Sequence, residues 1–449
     1  MNDITAFFAF LKYCLGYKEN MSRVIAGMNW HELYSFASKQ ALLGLCFEGI
    51  ERLGEEYPEE LRLNPIGREL LMTWMGKAQQ IRRQNMKVNS VVGKLFSMLR
   101  EDGVRCCVLK GQGNALMYPN PYSRTPGDID VWINASRERI MEYASKKFEL
   151  GDDIRLQHLE TSLDGVPVEL HFFPCSMNNP IYHARLQKWF RRNADLQCSH
   201  IVGLPDGAGD IAIPTTAFNV VYQLTHLYHH FFDEGIGMRQ IIDYFLVVND
   251  FSKNEIVSSK ITPSLFTLKE GSTSHPDPLS SGAREETALR CSEPLRSKDG
   301  GPSKVSPDCA GWDRLAIEED NSAGSTTVVT SSASTALDVV QKELKCLGLW
   351  KFAGAVMYVL HEALGLPEEK MIAPMDEKRG KLLLAEILNG GNFGKHFTKY
   401  GHFTQQGMAK KYFLKIWRNM HFVRYYPAEA LSEPIFRTWH FFWRLKHRR

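Results

Sequence analysis

The sequence predicts an α/β (α+β) core set between two helical regions, and three observations carry that expectation. Apolar residues recur every three to four positions over residues 70–99 and again from about residue 215. Between these stretches the period shortens, and short apolar runs are bounded by glycine. Two of those runs flank Asp164-Gly165, a dipeptide suited to the positive φ angles of a tight hairpin turn. At 449 residues the chain also exceeds a domain of ~100–200 residues, so two or three units are expected.

Residues 1–100 read as an N-terminal helical region. Its clearest piece is Leu70 to Leu99, where Ile81, Val88, Val91, Val92, Leu95 and Leu99 form one stripe, and Gly103 ends it. Residues 101–213 form the core. There Val104 to Leu109 reads as a buried strand broken by Lys110-Gly111-Gln112-Gly113, and Ile129 to Ile133 as a second strand. Ser136 caps a helix through Phe148, and a hairpin has arms Ile154 to Ser162 and Val166 to Phe173. A helical domain follows in two pieces, 214–257 and 336–435. Phe218, Val221, Leu224, Leu227 and Tyr228 share a side of the first, and Leu337, Val340, Leu344, Leu347 and Leu349 resume the stripe in the second. Residues 258–335 are rich in Ser, Thr, Pro and Gly and hold too little apolar surface to offset chain entropy. A disordered insertion is expected there, and a basic aromatic tail over 436–449.

Composition narrows the class. With 44% hydrophobic and 23% charged residues, and apolar runs well short of the ~20 residues that span a bilayer, a soluble globular protein is expected. Met1-Asn2-Asp3 is no basic leader, and no small-residue cleavage site follows Phe7 to Leu15, which points to the cytoplasm. Nine scattered cysteines without a CxxC pair argue against zinc or redox chemistry and for buried thiols, Cys106-Cys107 in a strand among them. The net charge of +3 says little, but its distribution is uneven. From residue 405 onward ten basic residues stand against Glu429 and Glu433, interleaved with Trp417, Trp439, Phe441, Phe442 and Trp443. This reads first as a terminal helix packed on the helical domain, then as peripheral contact with an anionic membrane, and less as nucleic-acid contact.

The residues that point to chemistry are acidic. Alternate residues of a strand share a face, so Asp128 and Asp130 place two carboxylates side by side while Ile129 faces the core. Glu169, flanked by apolar residues on the second hairpin arm, supplies a third from a neighbouring strand. Three carboxylates suit a pair of Mg²⁺ or Mn²⁺ ions about 3.5–4 Å apart, the arrangement that activates an attacking hydroxyl and steadies a triphosphate. Asp-x-Asp alone is a weak signal, since 51 acids in the chain give roughly six acid-x-acid pairs by chance. Context strengthens it. Upstream lies the turn Lys110-Gly111-Gln112-Gly113-Asn114, whose backbone N–H groups suit phosphate, with Lys110 to neutralise charge and Gln112 and Asn114 to donate. Arg124 can fork onto phosphate oxygens.

In Val108-Leu109-Lys110-Gly111, in Arg124-Thr125-Pro126-Gly127-Asp128-Ile129-Asp130-Val131 and in Val168-Glu169-Leu170-His171-Phe172, taken in that order, the chain resembles the polymerase-β-like nucleotidyltransferase superfamily. Within it, the resemblance is to the bacterial group known as the uncharacterised nucleotidyltransferase family. It extends to Thr225-His226, Gly237-Met238-Arg239 and Asp243, and so covers most of the chain outside 258–335. The resemblance implies a polymerase-β-like core with a small mixed sheet. It also implies metal-dependent transfer of an NMP from NTP to an acceptor (a small molecule, sugar or protein), with release of pyrophosphate. Asp128, Asp130 and Glu169 would be the metal ligands, and Glu169 would also ease deprotonation of the acceptor. The superfamily commonly has Gly-Ser or Gly-Gly in the phosphate turn; Gly111-Gln112 departs from that.

Other residues carry two readings. His226 and His230 share a helical face, as zinc ligands do, but packing at an interface explains them better without a nearby cysteine or Glu-x-x-His. Arg239 and Asp243 are a helical ion pair, or Arg239 touches the nucleotide. His158 and His171 approach the acids from the sheet. Two rival functions stand beside the enzyme: a non-catalytic nucleotide-binding module of the same fold, and an adaptor docked by its tail.

Overall fold

The computed structural model describes residues 3–150, 155–260, 335–396 and 408–447. Among these, α1 (Asp3–Cys14), α2 (Ser22–Ala26), α3 (Trp30–Lys39), α4 (Leu43–Glu56), α5 (Pro58–Leu63) and α6 (Arg68–Glu101) precede the sheet. Then come β1 (Cys106–Leu109), α7 (Gly111–Ala115), β2 (Ile129–Ile133), α8 (Arg137–Lys147), β3 (His158–Leu163), β4 (Val166–His171), α9 (Pro180–Ser199), β5 (Ile201–Gly203) and β6 (Asp210–Ala212). The helices α10 (Thr216–Asp233), α11 (Met238–Lys260), α12 (Ala336–Cys346), α13 (Trp350–Leu364), α14 (Glu377–Gly390), α15 (Met408–Met420) and α16 (Pro427–His447) complete the fold.

Local chemistry explains the boundaries. Gly103 takes φ 71° just after α6, and Ser136 Oγ accepts from Arg139 N to cap α8. Asp164 (φ 50°) and Gly165 (φ 73°) turn β3 into β4. β1 starts at Cys106, two residues later than the apolar run suggests, and the hairpin arms are shorter than expected; Ile154 lies outside the described residues. The expected disordered insertion falls on residues 261–334, also outside them. Its two edges are helical: residues 258–260 complete α11, and Thr335 caps α12 in a reciprocal capping box with Asp338. The basic aromatic tail is continuous with α16 rather than a separate segment.

The sheet has strand order β1-β2-β4-β3, with β2 and β4 parallel and the other pairs antiparallel, so the chain is a mixed α/β protein with a small mixed sheet and many helices. One face buries Cys106, Val108, Ile129, Val131, Leu159, Val168 and Leu170 against Val88, Val92, Leu95 and Leu99 of α6 and Ile140 of α8. Toward the β1 edge of the opposite face, Cys107, Leu109 and Trp132 join the larger helical core. Trp132 there stacks on Phe218 of α10 at 6.1 Å and 13°. The same core takes in Phe10 and Leu11 of α1 with Phe352 and Leu360 of α13, so helices from both ends of the chain share it. Cys14, Cys46, Cys106, Cys107 and Cys175 are buried free thiols. Among the described residues, no helix is long and apolar enough to cross a membrane.

The C-terminal helices are tied down by charge. Asp233, at the unfavourable C-terminal end of α10, meets Lys415 Nζ at 2.9 Å and Arg437 at 2.8 Å, so part of the tail's positive charge is neutralised within the fold. Glu429 in the first turn of α16 accepts from the backbone N–H groups of Asn178 (2.6 Å) and Asn179 (3.2 Å). Burial pushes its carboxyl up to about 7 from 4.5, against the pull of those hydrogen bonds. A raised folded-state value means stability present below about pH 4.5 and lost as pH rises through 7, a difference of ~3 kcal/mol. Glu429→Gln is expected to flatten that part of the slope, as urea unfolding of wild type and variant at pH 5 and pH 8 would show.

Candidate active site

Strand register builds the site. Asp130 and Glu169 are Cα partners across the parallel β2–β4 pair, and His171 and His158 are partners across β4–β3. Partners share a face, so Asp130, Glu169, His171 and His158 stand together on the side away from α6. Asp128, one residue before β2, lines the same cavity of about 400 Å³. The far wall comes from α10 and α11, with His226, His230, Arg239 and Asp243, and from Phe393 and Lys395.

Lys110 ties the Lys110–Asn114 turn to the acids. Its φ is 53°, a region that costs a residue with a Cβ ~1–3 kcal/mol. In that conformation Nζ reaches Asp130 Oδ2 at 3.1 Å and His226 Nε2 at 3.2 Å. An ammonium only donates, so His226 accepts and is neutral; burial, then the Lys110 charge, holds its pKa well below the ordinary value. On the other flank, His171 Nε2 lies 2.9 Å from Asp130 Oδ1 and 3.2 Å from Glu169 Oε2, and His158 Nδ1 lies 3.2 Å from the same Glu169 oxygen.

These contacts push the carboxyl groups apart in acidity. Burial alone would raise Asp130, but Lys110 and His171 outweigh it and hold the group well below the usual carboxylate range. Asp128 moves the other way, up to about 6, first because the charged Asp130 is beside it and then through its partial enclosure by the cavity. Burial also opposes ionisation of Glu169, yet the hydrogen bond from His171 leaves it below its ordinary value. His171 is pushed up to about 9, its burial being outweighed by hydrogen bonds to both acids. Such mutual repulsion among carboxylates is what a bound cation relieves, and their oxygen donors suit a divalent ion.

Two arginines face the acids. Arg124 gives Nε and one terminal nitrogen to the two oxygens of Asp243, both at 2.8 Å, while Tyr118 OH donates to Asp243 Oδ1 at 2.8 Å. The expected Arg239–Asp243 pairing within one helix is therefore replaced by a pairing across 119 residues, because Arg124 takes both carboxylate oxygens. Its other terminal nitrogen, and Nε of the buried Arg239, have no hydrogen-bond partner, and both residues line the cavity.

Part of the turn is directed inward. Gln112 donates to Asn89 of α6, and Asn114 exchanges hydrogen bonds of 3.0 and 2.7 Å with Gln223 of α10. A Cβ on Gly113 would meet Ile213 at 3.0 Å, so its bare backbone serves packing. Gly111, at φ 41°, lines the cavity. A family model described as uncharacterised nucleotidyltransferase matches residues 26–265, more than half of the chain. The chain belongs to the uncharacterised nucleotidyltransferase family. No curated protein and no solved structure matches it.

In this nucleotidyltransferase the cavity extends beyond the matched span. Phe393, at φ 54°, lies with its ring 5.7 Å from the Arg239 guanidinium and 5.4 Å from the His230 ring. Sequence reasoning had no signal for Phe393 or Lys395, which become neighbours of α11 only through tertiary packing. The contact depends on Gly237, where a Cβ would sit 2.7 Å from Asn392 Cα. Gly237→Ala is expected to cost about 1–3 kcal/mol, read by thermal unfolding, as the 391–394 turn is forced away from α11.

Proposed function

We propose that the protein transfers a nucleoside monophosphate from an NTP to an acceptor hydroxyl or similar group, with pyrophosphate leaving, on a polymerase-β-like core. The observation that carries this reading is the register pairing of Asp130 with Glu169, which sets two carboxylates beside Asp128 at one cavity facing two arginines. Asp128, Asp130 and Glu169 would hold Mg²⁺ or Mn²⁺, which supplies charge neutralisation at the triphosphate and acidifies the attacking group. Glu169 also stands where it can accept the acceptor's proton. The free N–H groups of Arg124 and Arg239 orient phosphate oxygens, Lys110 and Gly111 lie at the acids' edge for the same task, and Lys395 adds charge at the cavity wall. Gln112, Gly113 and Asn114 are better assigned to holding the turn than to touching nucleotide, given their partners in α6, α10 and Ile213.

The test is incubation of the full chain with α-labelled NTPs, Mg²⁺ or Mn²⁺ and a panel of acceptors. Label transfer that stops on chelation is expected; none with any nucleotide, metal and acceptor would count against catalysis. The inward-turned Gln112 favours one rival, a module that binds nucleotide without turnover, for which metal-dependent NTP binding without transfer is the signature. Exposed Leu431, Ile435, Trp439 and Phe442 on α16 support peripheral contact with lipid, the cytoplasm being the proposed compartment.

A further inference from the structure

We infer that His158, Glu169 and His171 form a transition-metal site that takes a borderline first-row divalent ion, Zn²⁺ above all, through two imidazole nitrogens and one carboxylate oxygen. Each of the three offers a ligand atom within 4.8 Å of the others. Glu169 Oε2 lies 3.2 Å from His158 Nδ1 and 3.2 Å from His171 Nε2, so one oxygen stands between two imidazoles. The rings themselves are 5.0 Å apart and inclined by 53°, which lets their nitrogens converge without stacking.

His158 supplies the second, independent observation. It is buried, and neither of its ring nitrogens has a hydrogen-bond partner. An unsatisfied buried polar atom costs ~1–3 kcal/mol, a cost that ordinarily marks a missing partner. The nearest acceptors do not complete a hydrogen bond: Glu169 Oε2 lies 3.2 Å from Nδ1 without hydrogen-bond geometry, and Glu160 Oε1 is 3.7 Å from Nε2 and already held by Arg155 at 2.7 Å. A metal ion supplies that partner and draws the Glu169 oxygen to the same centre. On the far side of the His171 ring, Gln157 Nε2 lies 3.3 Å from Nδ1, which leaves the ring's Nε2 as the nitrogen turned to Glu169.

Donor chemistry decides the ion. Mg²⁺ selects oxygen ligands and holds water tightly, whereas imidazole suits Zn²⁺, Co²⁺ and their neighbours. Three protein ligands would leave a position open, and all three residues line the cavity. The site shares Glu169 with the proposed transfer centre, but its occupancy does not depend on any transfer taking place.

The experiment uses the full chain, stripped of metal with chelator and dialysed, and titrates it with Co²⁺ as the spectroscopic probe. One equivalent is expected to bind, with a visible ligand-field band whose intensity reports fewer than six ligands. Zn²⁺ should displace it, and a hundredfold excess of Mg²⁺ should not. Both His158→Ala and the bulkier His158→Gln are expected to weaken Co²⁺ binding by about 10–100-fold. Absence of stoichiometric Co²⁺ binding, displacement by Mg²⁺, or unchanged affinity in both variants would overturn the inference. Mg²⁺-supported label transfer persisting in those cases would leave the proposed function standing, while Co²⁺ bound as described without transfer would do the reverse.

Discussion

Asp130→Asn is expected to lower nucleotidyl transfer by about 10³-fold or more, equivalent to ~4 kcal/mol of transition-state stabilisation. The substitution keeps shape and removes charge at the residue on which most of the site's contacts converge. Asp130 accepts from Lys110 at 3.1 Å and His171 at 2.9 Å, and it is the main reason that the Asp128 carboxyl is pushed up to about 6. Without that charge Asp128 returns toward ordinary acidity, but only Asp128 and Glu169 are then left to hold a cation against the charge of Lys110. The measurements are the rate of label transfer over a range of Mg²⁺ and Mn²⁺ concentrations and the thermal unfolding of both proteins. A variant that transfers label at the wild-type rate would remove Asp130 from the mechanism.

Asp243→Ala is expected to destabilise the fold by about 3–5 kcal/mol. Asp243 is buried and compensates a guanidinium that is itself only 3% exposed, and it also receives Tyr118 OH. Its loss leaves Arg124 beside Arg239, two buried cations whose repulsion is already felt: burial first, then Arg124, holds Arg239 below its ordinary pKa. Replacing Arg124 and Asp243 together by leucine should recover much of the loss, because no charge is then left alone. Urea unfolding of the single and double variants measures this, and a loss under about 1 kcal/mol for Asp243→Ala would show that the pair contributes little.

The carboxylates were legible because a strand has a period of two. Asp128 and Asp130 bracket Ile129, Glu169 lies between Val168 and Leu170, and that alternation alone sends acids to one side and aliphatics to the other. α6 was legible from its stripe, and the β3–β4 turn from Asp164-Gly165. α9 could have been read from Asn179-Pro180, a cap followed by proline at the first helical position. What could not be read were choices among partners distant in sequence. Gln112 and Asn114 have amides equally able to donate to phosphate, but Asn89 and Gln223 are nearer once the helices pack. Arg124 could have met phosphate with its whole fork, and Asp243 takes two of its three nitrogens. His158 faces His171 only because β3 pairs with β4 in the observed register, which a shift of one residue would undo.

The meeting of Gly237 with Asn392 bears on where this protein can be cut. Similarity to the family stops at residue 265, yet the turn that closes over Arg239 belongs to residues 391–394, and α13 fills the core against which α1 rests. A recombinant fragment trimmed to the matched stretch would keep Asp128, Asp130 and Glu169 while leaving one wall of the chamber missing and an oily surface bare. Sequence kinship and the smallest self-sufficient piece thus have different borders here, and the second runs well past the first.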